Sequence, residues 1–194
     1  MGSDPNGMPG RVPAEEWLNI FALVVYIPNP LGLFLDDLRR ELVPHYDPHA
    51  HVSVLPPRPL AVDWRVASEQ ARNLIEGWTP FDIELGSIQR FPVTDVIYID
   101  LGPGASELCC IHAGMNSDAL AFDEPFPYHP HITLAQEIPH ERVAELQAHA
   151  AQRWEDFGGE RRFRVEKAVF VQNTLSGQWI DLAEYSMGAV AAKL

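Results

Sequence analysis

Two short segments carry the same chemistry-bearing pattern. His51-Val52-Ser53 and His131-Ile132-Thr133 each place an imidazole two residues before a hydroxyl. In an extended strand, residues two apart face the same side. Each segment therefore presents one imidazole and one hydroxyl together, while Val52 and Ile132 turn the other way into a core. Imidazole titrates near pH 6.5, so one of a pair can be neutral while the other is charged. Two such groups flanking a phosphorus can act as general base on the nucleophile and general acid on the leaving oxygen. The hydroxyls can donate to the non-bridging oxygens, where charge sits in the transition state. A single His-x-Thr is a chance event in many strands. Two copies, 80 residues apart, carry far more weight.

The elements around them repeat in order. A buried strand over Ile20–Ile27 is followed by a helix over Leu31–Val43, with Leu31, Phe34, Leu35, Leu38 and Leu42 at helical spacing. His51–Leu55 alternates as a strand and ends at Pro56-Pro57. Asp63 caps a second helix running to Gly77, and Phe81–Leu85 is a half-exposed strand. The order then recurs. Val96–Leu101 is a strand, Ala105–Gly114 a helix and His131–Ala135 a strand. Pro139 opens a long helix with Val143, Leu146, Ala150, Trp154 and Phe157 on one face, ended by Gly158-Gly159. Phe163–Gln172 and Gln178–Tyr185 read as a closing hairpin around residues 173–177. The expected fold is α+β: a bilobal, duplicated arrangement of two pseudo-two-fold-related, antiparallel-rich sheets with outer helices. A central groove brings the histidine strands together. Residues 1–15, rich in Gly and Pro, read as a disordered tail, and 16–190 as a single bilobal domain.

On these residues the chain resembles the 2H phosphoesterase superfamily and, within it, the bacterial 2'-5' RNA ligase-like group. The stretches His49-Ala50-His51-Val52-Ser53-Val54-Leu55-Pro56-Pro57-Arg58 and Tyr128-His129-Pro130-His131-Ile132-Thr133-Leu134-Ala135 are similar to that superfamily's two signature motifs. The repeated order covers nearly the whole chain, from about residue 17 to about 187, as a bilobal fold requires. The resemblance implies a metal-independent cyclic phosphodiesterase acting on 2',3'-cyclic phosphate or 2',5'-linked RNA ends or nucleotides. It implies His51 and His131 as the catalytic pair and Ser53 and Thr133 as the phosphate-holding hydroxyls. Ser53 stands where Thr is common; the hydroxyl is kept.

Other residues offer further chemistry. Arg58 could clamp a phosphate bidentately, or sit as a solvated loop residue. His49 and His129 share the faces of the motif histidines, so four imidazoles could hold zinc. No carboxylate or thiol stands at ligand spacing, however, and a groove-rim position is preferred, with no metal and no cofactor expected. Tyr26, Phe34, Phe126 and Tyr128 are aromatic candidates near the groove, with a core role preferred for the first two. Arg161, Arg162, Arg164 and Lys167 form a basic cluster that reads as a solvated sheet face, with an RNA-backbone contact as the alternative. Cys109 and Cys110 lie near His112, but a Cys–His nucleophile is discounted because the cysteines are expected to be buried and inert.

Composition bounds the partners. Among 194 residues, 14 Lys and Arg stand against 27 Asp and Glu, a net charge of −13. Such a surface repels a phosphate backbone, so no large nucleic-acid interface is expected, while an RNA end or a small nucleotide remains a fitting substrate. Seventeen prolines argue against a helical bundle. The two adjacent cysteines build no disulfide framework, which fits a reducing cytoplasm. No apolar run approaches the roughly 18 residues that span a bilayer. A monomer is expected. Two other readings stay open: a phosphate-end binding module without turnover, and a His-ligated zinc hydrolase.

Overall fold

In the computed structural model, residues 16–44 and 49–188 are described; the proposed tail lies outside them. The chain forms β1 (Trp17–Tyr26), α1 (Leu31–Leu42), β2 (His51–Arg58), α2 (Trp64–Glu76), β3 (Phe81–Arg90), β4 (Ile97–Leu101) and α3 (Ala105–Met115). It continues through β5 (His131–Ala135), α4 (Val143–Glu155), β6 (Arg162–Val165), β7 (Lys167–Thr174) and β8 (Trp179–Ser186). Two antiparallel four-stranded sheets result, in the orders β2-β1-β7-β8 and β5-β4-β3-β6. The architecture is α+β, as expected.

The local signals worked where they were periodic. In α1 the Leu31, Leu35, Leu38 and Leu42 stripe is buried, and Asp63 caps α2 by accepting from the Arg65 amide at 2.9 Å. In β1, Phe21, Leu23 and Val25 enter the main core while Ala22 and Val24 face the opposite side. Gly104 precedes α3 with φ of +95°, and a Cβ there would lie 2.4 Å from the Asp82 carbonyl oxygen, so only glycine lets α3 start this close to β3.

The lobes are not the two halves of the sequence. Strand β3, from the first half, is the third strand of the second sheet; β7, from the second half, is the third strand of the first sheet. The expected strand over Phe163–Gln172 is correspondingly two strands. β6 pairs with β3, the chain crosses at Glu166, and β7 pairs with β1. Helices α2 and α3 pack on the first sheet, and α1 and α4 on the second. The histidine strands β2 and β5 are the facing edges of the two sheets and pack against each other. One expectation about side chains fails: Cys109 and Cys110 are exposed, because α3 turns Leu108, Ile111, His112 and Met115 inward instead. Phe34 takes the core role preferred for it, packing against the main core and stacking on Phe157 at 4.3 Å between α1 and α4.

Candidate active site

Antiparallel pairing fixes what stands beside each motif residue. Tyr26 of β1 is opposite His51 and Val24 is opposite Ser53. In the second sheet, Asp100 of β4 is opposite His131 and Tyr98 is opposite Thr133. Val52 and Ile132 are fully buried, so the intervening residues lock both strands into the phase that turns the imidazoles outward. His51, Ser53, His131 and Thr133 all line one groove of about 1510 Å³, together with His49, His129, Tyr128 and Phe126.

The two histidines are held alike. Nδ1 of His51 lies 2.7 Å from the carbonyl oxygen of His49, and Nδ1 of His131 lies 2.7 Å from that of His129. A carbonyl only accepts, so each Nδ1 carries a proton and each neutral ring keeps its lone pair on Nε2. Burial in the groove wall pushes His51 down to about 4, the nearby positive charges of Arg39 and His131 adding to it and the His49 carbonyl and Asp36 opposing. Burial likewise lowers His131, against the opposing His129 carbonyl and Asp100.

The neighbouring histidines anchor the motifs. His49 bonds through Nδ1 to Asp36 of α1 at 2.9 Å, and the same carboxylate accepts from the Ala50 amide at 2.6 Å. His129 Nε2 lies 3.2 Å from Asp100. Neither aspartate was visible as a partner in the sequence, because both pairings depend on long-range packing. Among the described residues, no three His, Cys, Asp or Glu side chains gather as a metal-ligand set.

Arg58 is not placed to clamp a phosphate. Its side chain is about 1 % exposed, and its guanidinium bonds Asn116 Oδ1 at 2.8 Å, the Leu120 carbonyl at 2.9 Å, the Pro56 carbonyl and Glu124. It bolts the 116–128 segment, which forms one groove wall, to the end of β2. Tyr128 completes the bolt. Its ring stacks on His112 at 3.8 Å, and its hydroxyl donates to the Ser53 carbonyl at 2.8 Å. Three residues before His131, Tyr128 thus ties the second motif to the backbone of the first. Phe126, 59 % exposed, stands at the rim. The basic cluster lies elsewhere: Arg164 pairs with Asp82, Arg162 with Glu160 and Lys167 with Glu184, and none lines the groove.

A family model for the 2'-5' RNA ligase superfamily matches residues 27–176, three-quarters of the chain and both histidine strands. The chain belongs to that superfamily. It is thereby placed among phosphoesterases. It is 26 % identical over 121 residues to the Oceanobacillus iheyensis protein named "Putative phosphoesterase OB1230", covering 58 % of this chain and 69 % of that one. Its fold is similar to Escherichia coli LigT complexed with NADP+ (14 % identity, TM-score 0.60, 89 % of this chain and 98 % of LigT). It is also similar to the Thermus thermophilus protein TT0787 (15 % identity, TM-score 0.60, 87 % and 98 %). Kluyveromyces marxianus Usb1 with uridine monophosphate matches at 13 % identity and a TM-score of 0.54, over 84 % and 98 %.

Proposed function

We propose that this superfamily member is a phosphodiesterase that hydrolyses 2',3'-cyclic phosphate, or 2',5'-linked, RNA ends or nucleotides by two-histidine acid–base catalysis. The observation that carries this reading is the matched pair of strands: each offers a tethered imidazole and a hydroxyl to the same groove. His51, held down to about 4, is neutral near pH 7 and is the base. It takes a proton from water as the water oxygen attacks phosphorus. His131, protonated beside the bound phosphate anion, gives its proton to the departing ribose oxygen as the P–O bond breaks. Ser53 and Thr133 donate to the non-bridging oxygens. Proton exchange with solvent then returns His51 to its neutral form and resets the site.

The test is hydrolysis of a panel of 2',3'-cyclic nucleotides in the presence of EDTA. Turnover by the parent, with losses of about a thousandfold or more in His51→Ala and His131→Ala, is expected. An inert parent that gains activity on adding zinc would overturn the reading in favour of a zinc hydrolase. Tight binding without turnover would favour a binding module.

A further inference from the structure

The groove's charge is unlike that of a surface built for a polynucleotide. Apart from its histidines, the lining among the described residues carries one cation, Arg40, and that guanidinium is paired with Asp37 at 2.5 Å. Asp36, Glu124 and Glu137 line the same space. Arg58 is turned into the protein, and Arg162, Arg164 and Lys167 are neutralised elsewhere by their own carboxylates. Asp36 is held by His49 and Arg39, and Glu124 by Arg58, so among the described residues the groove offers a polynucleotide no unpaired Lys or Arg to compensate the overall −13.

The two sheets also differ where the pseudo-symmetry should make them alike. Opposite Thr133 stands Tyr98, stacked on Phe91 at 4.1 Å and edge-on to His131 at 5.2 Å, so the second sheet fills its own side with an aromatic pair. Opposite Ser53 the equivalent residue is Val24. With Ala22, Val169 and Val171 it forms a small apolar cluster apart from the main core, against which Tyr26 and Trp179 pack. Trp179 is half-buried and lines the groove. The second-sheet side is thus filled by stacked rings, whereas on the first-sheet side Tyr26, edge-on to His51 at 6.3 Å, and the half-buried indole of Trp179 cover the small, buried aliphatic residues.

We propose that the groove selects a singly charged phosphodiester of mononucleotide size, its base lying against Trp179 on the first-sheet side, and discriminates against longer RNA ends. This rests on the phosphodiesterase reading above. One phosphate meets the histidines and hydroxyls; each further phosphate in a chain would find no unpaired Lys or Arg in the lining among the described residues and would meet the exposed carboxylate of Glu137. A base has a π-face for the indole and needs no charge partner.

The experiment compares kcat/KM of the full chain for adenosine 2',3'-cyclic phosphate and for a dinucleotide, a pentamer and a decamer ending in the same cyclic phosphate, at about 20 and about 200 mM salt. The expected result is a fall of about tenfold or more from the mononucleotide to the pentamer, with the gap narrowing at the higher salt as repulsion is screened. Trp179→Ala is expected to raise KM for the mononucleotide about tenfold with kcat little changed, and Trp179→Phe to restore most of it. Circular dichroism of both variants checks that the β7–β8 hairpin is intact, and the length series on the parent needs neither variant. A kcat/KM that is flat or rises with length, or that falls with salt for the longer probes, would overturn the proposal. Absence of turnover on every probe at either salt would instead overturn the phosphodiesterase reading, and this proposal with it.

Discussion

At the scale of single residues, the histidine environments set the pH behaviour. Since kcat/KM reports the free enzyme, its rising limb is expected near pH 4, where His51 loses its proton. Its falling limb belongs to His131, which burial holds below the usual imidazole value, so the maximum is expected below about pH 6.5. The kcat profile, read with phosphate bound, should have its alkaline limb at higher pH, because the anion favours the imidazolium. A kcat/KM maximum above about pH 7 would contradict these assignments. Stability carries the same sign. Folded His51 titrates below its unfolded value, so between about pH 6.5 and about 4 the unfolded chain holds the extra proton, and stability falls as pH falls through that window. His51→Gln should flatten the slope, as measured by urea melts across that range. Arg58 is a second residue-scale case. Arg58→Ala strands the Glu124 carboxylate and is expected to cost about 3–5 kcal/mol in unfolding free energy. A phosphate clamp would instead lose KM and leave the melting temperature in place.

At the scale of elements, the two edge strands pack against each other, and the Tyr128 hydroxyl adds a hydrogen bond from the start of the second motif to the backbone of the first. Tyr128→Phe keeps the stack on His112 but removes the hydrogen bond to the Ser53 carbonyl. The expected stability loss is about 1 kcal/mol, with a fall in kcat larger than any change in KM, because the two imidazoles lose their mutual registration before the groove loses its shape. Equal kcat in parent and variant would show that the tie does not position the second motif. The histidine strands were legible in the sequence because a period of two and the motif spacing are local properties. So was α1, whose leucine stripe is local too. Which sheet each strand joins was not legible: β3 and β7 read as ordinary strands in their own halves, whereas β3 joins the second sheet through β4 and β6, and β7 joins the first through β1 and β8. Arg58 was illegible for a related reason. After two prolines it reads equally as a solvated loop residue or as a buried clasp, and Asn116, Leu120 and Glu124, which decide the matter, lie about sixty residues away. The buried cysteines expected on α3 failed because the helix spends its inward face on His112 and its larger neighbours.

At the scale of the molecule, the exchange of β3 and β7 means that neither lobe is a separable unit. Cleavage of the chain between β3 and β4 would leave each sheet short of strands from the other piece. The full chain is therefore expected to unfold in one cooperative transition, with near- and far-ultraviolet dichroism coinciding; two separated transitions would contradict this. The same exchange has a consequence on the ribosome. β1 is among the first strands to emerge, yet one of its two neighbours, β7, is among the last. At ordinary rates of synthesis the interval is on the order of ten seconds. Through that time one long, apolar edge of β1 has no partner, and an unpaired edge invites pairing with other chains. The nascent protein should thus depend on holding chaperones more than its modest size suggests, and its yield should fall as synthesis is slowed between β3 and β7.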